Sequence, residues 1–315
     1  MHKLKKRQLL VVLVINLIFL LYRCIDPSLF VQSKEPQTVQ ISQVTVADIP
    51  VKSVGLIEPI TGATAAYITD ENSASILWSK NSDTLYAPAS TTKLITAIIA
   101  RRVYRPGSVL TVQRDPSTVG GSVIGLRKND QLTVESLIEA ALIQSGNDAA
   151  QALADNFPGG NDAFVEEMNR TAAAFHMDST HFSNPTGFDA PQHHSTARDL
   201  SILAREAIKD SYIKKTVATK EQEISDITGK TKFKLHNTNQ LLGADPRVIG
   251  LKTGTTEEAG EVLITLVQDD DRTILFVVLG SQSRYTDTQQ LMSWIFNNYS
   301  WLPPEEVSTR IQRVE

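Results

Sequence analysis

Three short motifs place the strongest constraint on how this chain folds. Ser90-Thr91-Thr92-Lys93, Ser145-Gly146-Asn147 and Lys252-Thr253-Gly254 follow one another in that order. Taken singly they are weak signals. Ser211-Tyr212-Ile213-Lys214 repeats the first pattern and Ser79-Lys80-Asn81 the second, whereas Lys-Thr-Gly occurs once. A helix cap at Ser90, another at Asn147 and a solvated strand lysine would account for any one motif. The ordered set, in helix, loop and strand contexts, is better explained by a fold that brings all three together.

The residue types in this set fit acyl transfer. A serine hydroxyl is a weak nucleophile and needs a base within hydrogen-bond reach. On a helix, Ser90 and Lys93 share a face, and Ser90 in the first turn meets free backbone N–H groups and the positive end of the dipole. Lysine acts as a base only when partly neutral, a state that burial and a second nearby cation both favour. Lys252 is the expected cation. Ser145 and Asn147 are expected across a cleft. There Ser145 would relay a proton to a leaving amine, and the Asn147 amide would bond both the substrate backbone and Lys93. Lys252 is expected on a strand, with Gly254 leaving room for substrate along the strand edge. The backbone N–H groups of Ser90 and Thr255 would then form an oxyanion hole.

The rest of the chain supports a fold of mixed elements. Hydrophobic content of 41% and charged content of 21% suit a globular protein, and a net charge of −4 gives no basic balance for nucleic acid. The single cysteine, Cys24, excludes an internal disulfide. His176 and His181 lie five apart and His193 and His194 are adjacent, so no helical zinc pair exists and no metal is expected. The runs 63–69 and 74–80 read as a hairpin about Asp70-Glu71-Asn72-Ser73. Helices are expected from near Ser90, over 134–143 and 147–155, after a cap at Asn161, and after a capping box at Thr196-Ala197-Arg198-Asp199. Strands return at 248–253, 261–268 and 272–279, the last two flanking Asp269-Asp270-Asp271, and a helix over about 286–299 closes the fold. Strands at both ends of a helical middle give an α+β class.

The N-terminus is partitioned. Lys3, Lys5, Lys6 and Arg7 precede an apolar stretch, 9–22, and no small-residue cleavage site follows. Residues 1–24 therefore read as an export signal retained as a membrane anchor, with its positive end cytoplasmic. Residues 25–54 read as a flexible linker, 55–303 as the catalytic domain and 304–315 as a C-terminal tail.

Over 63–301 the chain resembles the serine D-alanyl-D-alanine carboxypeptidases, the low-molecular-mass penicillin-binding proteins. The likeness rests on Pro88-Ala89-Ser90-Thr91-Thr92-Lys93-Leu94, Ser145-Gly146-Asn147-Asp148-Ala149-Ala150, Asn184-Pro185-Thr186-Gly187-Phe188, Ser195-Thr196-Ala197-Arg198-Asp199-Leu200, Asn239-Gln240-Leu241-Leu242 and Gly250-Leu251-Lys252-Thr253-Gly254. It implies a penicillin-binding/serine β-lactamase-like fold, with an antiparallel sheet flanked by helices plus an all-helical subdomain. It also implies that Ser90, Lys93 and Ser145 are catalytic, and that Asn147, Lys252, Thr253, Gly254 and Thr255 bind substrate. By the same resemblance Arg284 holds the substrate's terminal carboxylate.

The implied substrates are peptidoglycan stem peptides, and β-lactam antibiotics are the implied covalent inhibitors. No cofactor is called for. Thr255 departs from the family's usual Tyr or His. Many members add a β-rich domain and a C-terminal anchor after the catalytic domain, so anchoring in this chain is expected from its N-terminus. The expected reaction is removal of a terminal D-alanine through an acyl-enzyme on Ser90, outside the cytoplasmic membrane. The alternatives are a DD-endopeptidase cutting crosslinks with the same residues, a penicillin-binding sensor, and a β-lactamase. The last is disfavoured because Glu166 and Glu167 follow the second motif too closely to activate a deacylating water.

Overall fold

A computed structural model describes residues 47–306, save Leu56, Pro116 and Ser117. The expected anchor, 1–24, most of the expected linker and the end of the expected tail lie outside the described residues. Among the described residues, no helix is long and apolar enough to cross a membrane.

A five-stranded antiparallel sheet forms the frame. It comprises β2 (Ala65–Asp70), β3 (Ile76–Lys80), β8 (Val248–Thr256), β9 (Gly260–Asp269) and β10 (Arg272–Ser281), in the order β3-β2-β10-β9-β8, while β4 (Val109–Thr111) pairs with β5 (Gln131–Thr133) and β6 (Glu221–Ser225) with β7 (Lys232–His236) outside it. The expected hairpin about Asp70 and the hairpin across the aspartate run are both present.

The central strand β10 is buried along both faces, and its side chains alternate between two cores. Leu275, Val277 and Leu279 join the larger core, while Ile274, Phe276 and Val278 join the smaller one. The smaller core is closed by Leu291, Met292 and Ile295 of helix Arg284–Asn298. The larger core is closed by α1 (Lys93–Val103), α2 (Val134–Ile143), α3 (Asn147–Asp155), α4 (Gly160–Ala174) and α5 (Ala197–Lys209). The short α6 (Ser211–Val217) also packs here, and Arg284–Asn298 is α7. Helices on both faces of an antiparallel sheet make the expected α+β architecture.

Two boundaries differ from the sequence reading. Within the expected linker, β1 (Ile49–Lys52) pairs with β11 (Tyr299–Leu302), so the ordered fold begins before Gly55. Mixed Pro, Lys and Val content concealed a strand whose partner lies at the far end of the chain. The expected cap Asn161 is not a cap. Helix α4 starts at Gly160 behind Gly159 at φ 94, and Asn161 Oδ1 accepts from Gln151 Nε2 at 2.8 Å. Thr196 does cap α5, its hydroxyl accepting from Asp199 N at 3.0 Å.

These contrasting roles predict different costs. Thr196→Ala should lower the unfolding free energy by about 1 kcal/mol in denaturant titration. Asn161→Ala should stay within about 0.5 kcal/mol of the native chain. Equal losses would contradict the assignment of the caps.

Candidate active site

The site forms where the free edge of β8 meets the start of α1. Residues Ala89–Thr92 make a tight 3-10 turn that leads directly into the helix. Thr91 Oγ1 donates to Pro88 O at 2.6 Å and holds the turn closed. Two glycines allow the approach. A Cβ at Gly254 would lie 2.8 Å from Ala89 Cβ and 2.9 Å from Ser90 N, and one at Gly187 would lie 2.0 Å from Ala89 O. Glycine at 254 therefore seats the strand against the serine turn, a tighter demand than the expected room for substrate alone.

Lys93 is fully buried in the first turn of α1. Its Nζ donates to Ser90 Oγ at 2.7 Å and to Thr186 O at 2.6 Å. Burial pushes its pKa well below the usual lysine value, and the Lys252 charge adds to the shift while Asp148 opposes it. Ser90 itself is only partly buried, so its hydroxyl is reachable. Lys252 is 1% exposed, and its Nζ donates to Ser145 Oγ at 2.9 Å and to Thr253 O at 3.0 Å. Burial, then the Arg284 charge, lowers its pKa to about 7. Each serine thus sits against one buried lysine whose proton is loosely held.

Ser145 occupies the left-handed region at φ 62, between α2 and α3. Asp148 pins the neighbouring loop, its carboxylate accepting from the backbone N–H groups of Ile124, Gly125 and Leu126. Asn147 does not bond Lys93 as expected. Its Nδ2 donates to Gly120 O at 3.0 Å, and Lys93 takes Thr186 O instead. Asn147 Oδ1 is buried with no partner among the described residues, at the wall of the cleft.

The cleft encloses about 380 Å³. Ser90, Ser145, Asn147, Thr253, Gly254, Thr255 and Arg284 line it, and Lys93 and Lys252 lie beneath their serines. All nine expected site residues therefore meet. The competing motifs do not. Ser211 and Lys214 are exposed on α6, and Ser79 lies on edge strand β3. Glu166 is exposed and Glu167 pairs with Arg170, both on α4.

Arg284, at the start of α7, is 9% exposed and already heavily engaged. Nη1 donates to Gly254 O at 2.6 Å and Val262 O at 3.1 Å. Nη2 donates to Thr255 Oγ1 at 2.5 Å and Glu261 Oε1 at 3.2 Å. Several contacts in the cleft escaped the sequence reading. Thr238 Oγ1 lies 2.6 Å from Thr253 Oγ1, Thr186 offers Lys93 a backbone oxygen, and Glu261 stands beside Arg284. Only the proximity of Asn239-Gln240-Leu241-Leu242 could have pointed to Thr238. Nothing in the local sequence marks Glu261.

The D-alanyl-D-alanine carboxypeptidase family matches residues 54–283, and the chain belongs to that family. D-alanyl-D-alanine carboxypeptidase DacF of Bacillus subtilis is 31% identical over 261 residues, covering 80% of this chain and 67% of the relative. A D-alanyl-D-alanine endopeptidase of Pseudomonas aeruginosa is 32% identical over 256 residues, covering 79% of this chain and 82% of the relative. The crystal structure of a Streptomyces DD-transpeptidase superposes with a TM-score of 0.72 at 29% identity, covering 77% of this chain and all of that one. The chain spans about two thirds of the length of the first curated carboxypeptidases it matches.

The buried lysines make stability depend on pH. Between about 7 and 10.5 the unfolded chain keeps the Lys252 proton and the folded chain does not, so the unfolding free energy rises with pH across that window. Going from about pH 7 to about pH 9 should add roughly 1–3 kcal/mol in denaturant titrations. Lys252→Met should show a smaller rise. Identical slopes in the two proteins would rule out a loosely held proton at Lys252.

Proposed function

We propose that this member of the D-alanyl-D-alanine carboxypeptidase family is a serine DD-peptidase that removes the terminal D-alanine from peptidoglycan stem peptides. The observation that carries the reading is the 2.7 Å bond from a fully buried lysine, Lys93, to the hydroxyl of Ser90 at the floor of an open cleft. A lysine in that setting is neutral often enough to take the serine proton.

The peptide lies along the edge of β8, and Asn147 Oδ1 accepts one of its N–H groups. Ser90 Oγ attacks the carbonyl carbon between the two D-alanines as Lys93 Nζ takes its proton. The carbonyl oxygen becomes an oxyanion facing the backbone N–H groups of Ser90 and Thr255. Collapse breaks the C–N bond. The leaving amine takes a proton through Ser145, which Lys252 Nζ resupplies from 2.9 Å. The proton that Lys93 took from Ser90 passes to Lys252 by way of solvent; water then attacks the ester carbon as the neutral Lys93 Nζ takes its proton, and Lys93 hands that proton to Ser90 Oγ as the shortened peptide leaves. β-lactams, whose ring amide stands in for the scissile bond, would stop at the acyl-enzyme. The N-terminal segment would hold this domain outside the cytoplasmic membrane.

A second reading is DD-endopeptidase action on peptide crosslinks. It is favoured by the Pseudomonas aeruginosa relative bearing that name, of which the chain covers 82%.

Ser90→Ala should abolish covalent labelling by benzylpenicillin, while Ser211→Ala should leave it intact. Lys93→Arg should lose nearly all acylation, because arginine stays protonated, and Lys252→Arg should be milder. Mass spectrometry of muropeptides incubated with the full chain separates the two activities. Loss of one alanine marks a carboxypeptidase, and dimers falling to monomers mark an endopeptidase. Labelling that survives Ser90→Ala would overturn the nucleophile.

A further inference from the structure

Of the adjacent histidines His193 and His194, the first is drawn in behind the nucleophile turn and is 4% exposed. Its ring packs edge-on against Phe182, with centroids 5.8 Å apart. Both ring nitrogens are engaged. Nδ1 accepts from the Ser183 backbone N–H at 2.8 Å, and Nε2 lies 3.1 Å from Thr92 Oγ1. A backbone N–H can only donate, so Nδ1 carries no proton. In the neutral ring the proton is then on Nε2, which donates to Thr92 Oγ1. Burial, then the nearby His181, lowers the His193 pKa to about 4, with His194 adding to the shift and Asp189 opposing it, so the ring is neutral near pH 7.

The two partners of this ring lie on opposite sides of Lys93. Thr92 is fully buried, ends the turn Ala89–Thr92 and immediately precedes Lys93. Ser183 opens the segment 183–187, which brings Thr186 O to Lys93 Nζ at 2.6 Å. Asn184 stiffens that segment, its Oδ1 accepting from the backbone N–H groups of Thr186, Gly187 and Phe188. The segment is tied to α1 at Pro185 O, which accepts from Thr96 Oγ1 at 2.7 Å, and at its start through His193. The bridge Ser183–His193–Thr92 therefore joins the segment that faces the lysine to the turn that carries Ser90. His193 is not among the described residues lining the cleft, so it bears on Lys93 without reaching substrate.

Building on the DD-peptidase reading, we propose that His193 is a positioning residue, which by bridging Ser183 to Thr92 sets Thr186 O where Lys93 Nζ can hold it and Ser90 Oγ together. Nζ divides its bonds between these two oxygens, at 2.6 and 2.7 Å. A carbonyl that drifts outward either draws Nζ away from the serine or leaves the new ammonium short of an acceptor once the serine proton has arrived. Both outcomes slow acylation and leave the binding of substrate alone. A carbonyl fixed beforehand adds no reorganisation to the proton transfer. The neutral imidazole suits the task because it accepts on one side and donates on the other, and it places no second cation behind Lys93.

The test is stopped-flow acylation of the full chain by benzylpenicillin, which separates the dissociation constant of the first complex from the acylation rate constant. An unfolded fraction lowers the amplitude and not the rate constant. His193→Leu removes both polar atoms of the ring, and should lower the rate constant about tenfold with the dissociation constant unchanged. His193→Gln, whose amide can reach Thr92 as a donor, should recover part of that loss. Thr92→Val removes the other end of the bridge and keeps the shape. It should slow acylation in the native chain but add little in the His193→Leu chain, because one bridge cannot be broken twice. An unchanged rate constant in His193→Leu, a change confined to the dissociation constant, no recovery in His193→Gln, or additive losses from the two substitutions overturns the role of His193, while labelling of Ser90 leaves the DD-peptidase reading standing. Absence of acylation in the native chain overturns the two readings together.

Discussion

Two lysines buried within one cleft are the constraint on which the rest of this structure depends. An unpaired ammonium group out of water is costly, and two near each other are costlier. The fold meets that cost by giving each Nζ an acceptor hydroxyl and a backbone carbonyl, and by depressing both pKa values. The price is also the function. The proton that folding makes easy to lose from Lys93 is the one that would be exchanged with Ser90. The wall of backbone around the pair, from Thr186 to Thr253, is arranged to keep it dry and satisfied.

Burying the lysines requires three distant segments to approach at backbone range. Central strand β10 has helices on both faces, so it fixes the sheet, and β9 carries β8 to the free edge. There Gly254 lets the strand press on Ala89 and Ser90, and Gly187, at φ 90, lets the loop carrying Thr186 reach Lys93 from the other side. Any side chain at either glycine would collide with the turn Ala89–Ser90. Local glycine placement and global sheet order thus serve the same hydrogen bonds.

Most of this arrangement was legible in the sequence where the signal is local. The bounds of α2 and α3 follow from apolar periodicity, and the cap at Thr196 from its spacing to Asp199. The nine site residues converge because motif order reflects a shared topology. What escaped depends on contacts distant in sequence. The strand Ile49–Lys52 has no pattern of its own and exists through pairing with Tyr299–Leu302. Asn161 looks like a cap but is claimed by Gln151 on another helix. Lys93 bonds Thr186 rather than Asn147 because a carbonyl oxygen, which every residue offers, leaves no mark in the sequence. Glu261 is one acid among many until the structure sets it against Arg284.

The strained backbone shows where rigidity is concentrated. Ala89 at φ 47 and Ser145 at φ 62 both hold left-handed conformations that an L-residue adopts at a cost of about 1–3 kcal/mol each. One immediately precedes Ser90, the proposed nucleophile, and the other is Ser145, the proposed proton relay. Each is held by contacts that leave it little freedom. The turn at Ala89 is closed by Thr91 on Pro88, and the turn at Ser145 by Gly146 N on Ala140 O and by the loop that Asp148 gathers. Each hydroxyl is in turn held by its lysine, Ser90 Oγ by Lys93 Nζ at 2.7 Å and Ser145 Oγ by Lys252 Nζ at 2.9 Å. That restriction keeps the Ser90–Lys93 and Ser145–Lys252 pairs aligned before any substrate arrives, so little reorganisation is left for the reaction itself.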